Sequence, residues 1–158
     1  MVLRLGPDQM RQIHLHVCRA YPDEGCGVLI GRERGEVREI ERVIGLENQH
    51  GGPQRNRYLI GPEQFLDGDR RAREQGLELL GVFHAHPDVP AEPSSFDLVH
   101  AWGYYSYLIV SVSNGAVAGQ RSWRLRADRS GFDPEPLEIS NRTASDAVQD
   151  RAGGPSRA

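Results

Sequence analysis

Apolar positions along the chain recur with two periods. From Asp8 to Ala20, Met10, Ile13, Leu15 and Val17 form an imperfect helical stripe behind Gly6-Pro7-Asp8, which predicts a first helix. Tyr21-Pro22-Asp23-Glu24-Gly25 ends it. Cys26–Gly31 is apolar between glycines and reads as a buried strand; Val37–Ile44 alternates imperfectly as a second, after a turn at Gly35. Asn48–Arg55, with Gly51-Gly52-Pro53 at its centre, predicts a mobile loop. Tyr58–Ile60 reads as a short strand and Pro62–Gln75 as a charged helix with proline near its first position.

Leu77–His86 is a strongly apolar strand, followed by a loop over Val89–Pro93 and a short helix over Ser95–Trp102. Tyr105–Val112 and Ala116–Leu125 read as strands joined by the hairpin signal Asn114-Gly115, and Pro134–Ile139 as an edge strand. From Ser140 onward little remains to bury, so 140–158 is expected to be a disordered tail. The chain shows no repeat at solenoid periods. The expected plan is one domain over 1–139, mixed α and β, with a central sheet flanked by helices.

Composition narrows the chemistry. The 158 residues, 38% hydrophobic and 26% charged, suffice for one self-supporting core. No apolar run approaches the roughly 20 residues of a membrane span, and the first ten residues lack the apolar stretch of a signal peptide. Two cysteines are too few for a disulfide framework, so a cytoplasmic setting is expected. The net charge of −3 argues against a nucleic-acid partner. All 19 basic residues are arginine, which excludes Schiff-base chemistry and a lysine base but leaves carboxylate recognition open.

The informative stretch is His84-Ala85-His86-Pro87, followed by Ser94-Ser95-Phe96-Asp97. Residues two apart on a strand point the same way, so His84 and His86 present two imidazoles to one point, and Pro87 ends the strand there. His14 and His16 share that spacing on a helix, where they sit about 200° apart and cannot share a metal. Asp97, 11 residues after His86, falls in the first turn of the next helix and can supply a third ligand. Ser94-x-x-Asp97 also reads as a variant capping box. Capping by Ser94 and ligation by Asp97 are compatible. Asp23 is expected to be solvated, Cys26 a small core residue, and His50 and His100 surface histidines.

His84-x-His86-Pro87-x6-Ser94-x-x-Asp97 resembles the JAMM (MPN+, JAB) zinc metalloproteases, in particular their small prokaryotic stand-alone branch. Pro22-x-Glu24-x-Cys26-Gly27-x-Leu29-x-Gly31 resembles that family's upstream glutamate motif, and the likeness runs from about residue 8 to 126. It departs at Ala85, where the family usually has Ser or Thr, on the side facing away from the metal.

The resemblance implies a JAB-type fold of the cytidine-deaminase-like kind, with a mixed, partly barrel-like sheet. It implies one zinc per chain held by His84, His86 and Asp97, with Glu24 as general base and Ser94 as oxyanion donor. It further implies a peptidase or isopeptidase that cuts after the C-terminal glycines of a ubiquitin-like or sulfur-carrier protein. The loops Asn48–Arg55 and Asp88–Pro93 are expected to wall a groove for that terminus, with strand addition holding it. Deaminase and zincin signatures are absent. A DNA-repair relative of the same fold normally brings a DNA-binding extension. The remaining alternative is a non-catalytic MPN scaffold, which such modules become by losing ligands that this chain retains.

Overall fold

Strand pairing sets the plan of the molecule. The structure, a computed structural model, describes residues 1–140; the tail read from the sequence lies, beyond Ser140, outside the described residues. In chain order the elements are β1 (Val2–Leu5), α1 (Pro7–Ala20), β2 (Cys26–Arg34), β3 (Val37–Leu46), α2 (Pro62–Glu74), β4 (Glu78–Pro87), α3 (Ser95–His100), β5 (Ser106–Ser113), β6 (Ala116–Leu125), β7 (Phe132–Glu135) and β8 (Leu137–Ile139). The strands form one mixed sheet in the order β7-β6-β5-β4-β2-β3-β1-β8. β4–β5, β1–β3 and β1–β8 pair in parallel and the others antiparallel. β7 and β8 lie at opposite ends of that order, yet Pro136 alone separates them along the chain. The sheet therefore curls until its edges nearly meet. This is the partly barrel-like α+β arrangement the sequence led us to expect.

Four sequence expectations need correction. Val2–Leu5 is a strand, unread in the sequence; its buried Leu3 and Leu5 alternate with partly exposed Val2 and Arg4, and it inserts between β3 and β8. Leu15 is 50% exposed, so the buried stripe of α1 is Met10, Ile13 and Val17. Tyr58–Ile60 forms no strand: Leu59 N donates to the Asn48 side chain at Oδ1, and Leu59 O accepts from Gln49 N at 2.9 Å. The expected edge strand Pro134–Ile139 is two strands on different edges. Pro136 has no N–H to continue a ladder, and its carbonyl accepts instead from Leu3 N. The Asn114-Gly115 hairpin has positive φ at both residues, as its two-residue turn requires.

Two apolar clusters cover the two faces of the sheet. Met10, Ile13 and Val17 of α1 pack with Leu29, Phe83, Ala85, Leu108 and Val110. Ala72 of α2 joins Val28, Ile30, Leu79, Val82 and Ile109 on the other side. The register between β2 and β4 shifts so that Ile30 pairs with Leu79 but Leu29 with Gly81. Leu80 is thus an extra residue. Such a bulge reverses the facing of everything beyond it. It returns Val82 to the face of Leu79, and His84 and His86 follow at the same parity. Gly27 and Gly31 of the glutamate motif also acquire a reason. A Cβ at Gly27 would strike the Phe83 ring and the Ile44 carbonyl, and one at Gly31 the Glu39 carbonyl.

A buried polar network ties the strands around the curl. Arg38 on β3 is 1% exposed, pairs with Glu33 at 2.9 Å, and donates to Leu80 O (2.8 Å) and Ser106 Oγ (3.2 Å). Ser106 and Ser122 in turn donate to Glu135, at 3.0 and 2.7 Å. Arg38→Ala removes a buried charge from this set and leaves its acceptors unpaired. It should lower the unfolding free energy by about 1–3 kcal/mol, the usual cost of leaving a buried acceptor without its charged donor. Urea denaturation of the two proteins measures it, and a loss under 1 kcal/mol would contradict the assignment.

Candidate metal centre and cleft

β4 carries His84 and His86 to the end of a strand flanked by β2 and β5; ladders fix His84 on both sides and His86 on the β5 side. His84 is fully buried and His86 nearly so. Their Nε2 atoms lie 3.1 Å apart. Asp97 approaches from α3, with Oδ1 at 3.2 Å from His84 Nε2 and Oδ2 at 3.2 Å from His86 Nε2. Among the described residues these three form one group able to hold a metal ion.

Capping and convergence are built together. Ser94 is the N-cap of α3: its Oγ accepts from Asp97 N at 3.1 Å, while Asp97 Oδ2 accepts from Ser94 N at 2.7 Å and from Ser94 Oγ at 2.9 Å. The box that starts the helix thereby aims the carboxylate at the imidazoles. His86 Nδ1 lies 3.1 Å from Pro90 O. A carbonyl only accepts, so Nδ1 carries the proton and Nε2 presents a lone pair to the centre. His84 stacks on Tyr58, with ring centroids 4.3 Å apart, and its buried Nδ1 has no hydrogen-bond partner.

The electrostatics match that geometry. Burial pushes the His84 imidazole below its ordinary value against the pull of Asp97, which favours the neutral ring. Burial alone would raise the Asp97 carboxyl; the facing imidazoles of His84 and His86 and the bond from Ser94 N outweigh it and hold the group well below the usual carboxylate range. Two imidazole nitrogens and one ionised carboxylate make a borderline-soft set suited to zinc. Tetrahedral sites with bonds of about 2.0–2.1 Å place their donors about 3.4 Å apart, close to the 3.1–3.2 Å separations here. The residues fit the ion.

Glu24 lies across from this group. Cys26 pairs with His84 and Ala85 N donates to Gly25 O at 2.9 Å, so continuing the antiparallel register brings Glu24 level with His86. Glu24 is 4% exposed, while its neighbour Asp23 is exposed as expected. Burial first, and the Asp97 charge second, push the Glu24 carboxyl up to about 9. Its backbone is clamped to the loop before α2: Glu24 N donates to Gln54 O at 2.7 Å and Asn48 Nδ2 donates to Glu24 O at 3.0 Å. The segment read as a mobile loop is therefore a braced one. Asn48 holds it from inside, also accepting from His50 N. No composition signal marked Asn48; its four backbone partners exist only once the loop is closed.

Glu24, His86 and Ser94 open into one cleft of about 640 Å³, walled by Pro53 and Arg55 on one side and Val89–Pro93 on the other. Both loops foreseen as walls stand there. The second is pinned by Ser111 Oγ to Val89 O (2.6 Å) and by Trp123 Nε1 to Ala91 O (3.0 Å). β5 pairs with β4 as far as Pro87, whereas the ladder with β2 ends at His84. His14, His16 and His100 take no part: His14 meets Gln120, His16 meets Leu46 O, and exposed His100 stacks on Phe96. Cys26 is buried, and burial pushes its thiol up to about 12, so it is a core residue. His50 packs edge-on against Phe96.

A curled mixed sheet with two helices against it and a His-x-His/Asp group at one strand end defines a JAB-type α+β domain with a candidate metal centre. The chain belongs to the prokaryotic homologues of the JAB domain, whose family model matches residues 7–126. It is 36% identical over 109 residues to a probable TtuB-protein conjugate cleaving protease of Thermus thermophilus, covering 69% of this chain and 70% of that one. It is 29% identical over 92 residues to a desampylase of Pyrococcus furiosus, covering 58% and 61%. A crystal structure of a JAB1/MPN domain protein from Archaeoglobus fulgidus superposes with a TM-score of 0.54 at 20% identity, covering 89% of this chain and all of that one, and shares the fold. No helix among the described residues is long and apolar enough to cross a membrane.

Proposed function

We propose that this chain is a zinc metallopeptidase that hydrolyses the bond following the C-terminal glycines of a ubiquitin-like or sulfur-carrier protein. One observation carries the reading: three metal-type donors converge at a strand end while a separate buried carboxylate, Glu24, opens into the same cleft. Relatives named for cleaving a TtuB-protein conjugate and for desampylation support the substrate class.

His84, His86 and Asp97 would hold one zinc per chain. Bound there, zinc supplies Lewis acidity to a water and to the scissile carbonyl. Ionised by that neighbouring positive charge, against the burial that raises its carboxyl, Glu24 takes the proton from that water and returns it to the leaving amine, a role open to a carboxylate outside the ligand set. Ser94 donates its hydroxyl to the carbonyl oxygen as that oxygen gains charge, giving up its bond to Asp97 Oδ2 to do so. We assign the activity to residues 1–139 as one domain and a cytoplasmic setting, in keeping with two free cysteines.

Purified protein incubated with carriers of the same genome decides the substrate. Carriers ending in Gly-Gly plus cysteine, or plus a short extension, should lose that extension by intact mass, and a zinc chelator should stop the loss. Unchanged carriers alongside cleavage of unrelated peptides would remove the carrier assignment. A chain that takes up no zinc would be the non-catalytic scaffold.

A further inference from the structure

We infer that Arg55 reads the free α-carboxylate of the departing residue, which selects carriers bearing one added C-terminal amino acid over side-chain isopeptides. The inference rests on the hydrolase reading above and names the substrate of that same site. Arg55 is the one permanently cationic side chain lining the cleft, which otherwise presents the carboxylates of Glu24 and Glu92. Its guanidinium is largely exposed and touches Asp88 Oδ2 at 3.5 Å, well beyond the 2.7–2.9 Å of a committed charged pair. Asp88 does not depend on it. Tyr21 Oη donates to both Asp88 oxygens at 2.9 Å, and Asn114 N lies 3.4 Å from Oδ1. Arg55 is free to exchange one carboxylate for another, and a planar guanidinium suits a bidentate carboxylate better than any other cleft group.

Its position along the cleft fixes which carboxylate. Gln54, the preceding residue, is bonded through its carbonyl to Glu24 N at 2.7 Å. The backbone of Arg55 is thereby held beside that of Glu24 in the same cleft, and the proposal places the departing residue, whose amine recovers its proton from Glu24, against the Arg55 guanidinium. Hydrolysis adds the oxygen of water to the terminal glycine carbonyl, breaks the C–N bond, and gives both water protons to the new acid and amine. In a carrier extended by one residue, the α-carboxylate sits two bonds from that nitrogen. In an isopeptide the nitrogen is the end of a lysine stem and carries no nearby carboxylate. Without Arg55, the cleft would offer such a terminus no cation and would set the Glu92 carboxylate against it.

The test uses a carrier ending Gly-Gly-Ala as the free acid and as the C-terminal amide, with the zinc-loaded full chain. Wild type should cleave the acid about tenfold or more faster in kcat/KM, the smaller end expected for a charged hydrogen bond near solvent. Arg55→Gln should bring the acid-to-amide ratio of kcat/KM to about one, and Arg55→Lys should restore part of the preference. Binding of the two peptides to the Glu24→Gln protein gives a readout without turnover, and the acid should bind tighter by a similar factor. Equal binding and equal cleavage of acid and amide would overturn the role of Arg55. Acid-selective binding that depends on Arg55, with neither peptide cleaved by wild type, would keep that role and overturn the hydrolase reading instead.

Discussion

Glu24→Gln should retain one zinc per chain and lose about 100- to 10,000-fold in kcat, the range a positioned general base contributes. Glutamine keeps the size and reach of the side chain. The main-chain bonds that place residue 24, from Glu24 N to Gln54 O and from Asn48 Nδ2 to Glu24 O, do not involve the carboxylate. Glutamine also removes a buried acid rather than creating one, so folding does not suffer. What disappears is the ability to accept a proton beside His86. Asp23→Asn, on the exposed neighbour, should change the rate less than about twofold, as a surface substitution away from the cleft. Elemental analysis and single-turnover rates on the same preparations check both. Full activity in Glu24→Gln would show that another group handles the proton.

Asp97→Asn and His86→Ala should each weaken zinc binding by more than about 100-fold, since even partners one step removed from a metal cost 10- to 100-fold. Asparagine can still accept from Ser94 N through its carbonyl oxygen, so the start of α3 survives while the ligand charge goes. That separates the two jobs of Asp97, which truncation to alanine would confound. His86 sits at the rim and not under the core, so its loss leaves a small, wettable gap. Competition with a chelator of known affinity, with helix content followed by circular dichroism, measures binding and folding independently. Undiminished affinity in Asp97→Asn would mean that the carboxylate serves as a cap alone.

The sequence carried most of the site because its signals are local. His84 and His86 two apart on an apolar strand, Pro87 ending that strand, and Ser94-x-x-Asp97 opening a helix each need only neighbours to be interpreted. The long elements were legible for the same reason: α1, α2 and the strands from Cys26, Leu77, Tyr105 and Ala116 show their period without help from the rest of the chain. The Asn114-Gly115 turn likewise demands its own backbone geometry.

Elements that depend on distant partners were read wrongly or missed. Val2–Leu5 is too short to declare itself and becomes a strand by filling the gap between β3 and β8. Pro134–Ile139 reads as one strand, and only the curl of the sheet divides it between two edges. Tyr58–Ile60 has strand-like residues, but Leu59 spends its backbone groups on the Asn48 side chain and Gln49 N.

By itself, then, the sequence singled out the donors His84, His86 and Asp97 and the strand end and helix turn that present them. The tertiary structure decided how they meet. The extra residue at Leu80 sets the face on which both histidines emerge, since a one-residue slip in a period-two strand reverses every side chain beyond it. The bond from Glu24 N to Gln54 O brings a loop of no evident pattern against the site and seats Arg55 in the cleft. Periodicity and capping act over a few residues and are written in order along the chain; register and loop closure join residues tens of positions apart, and nothing local encodes them.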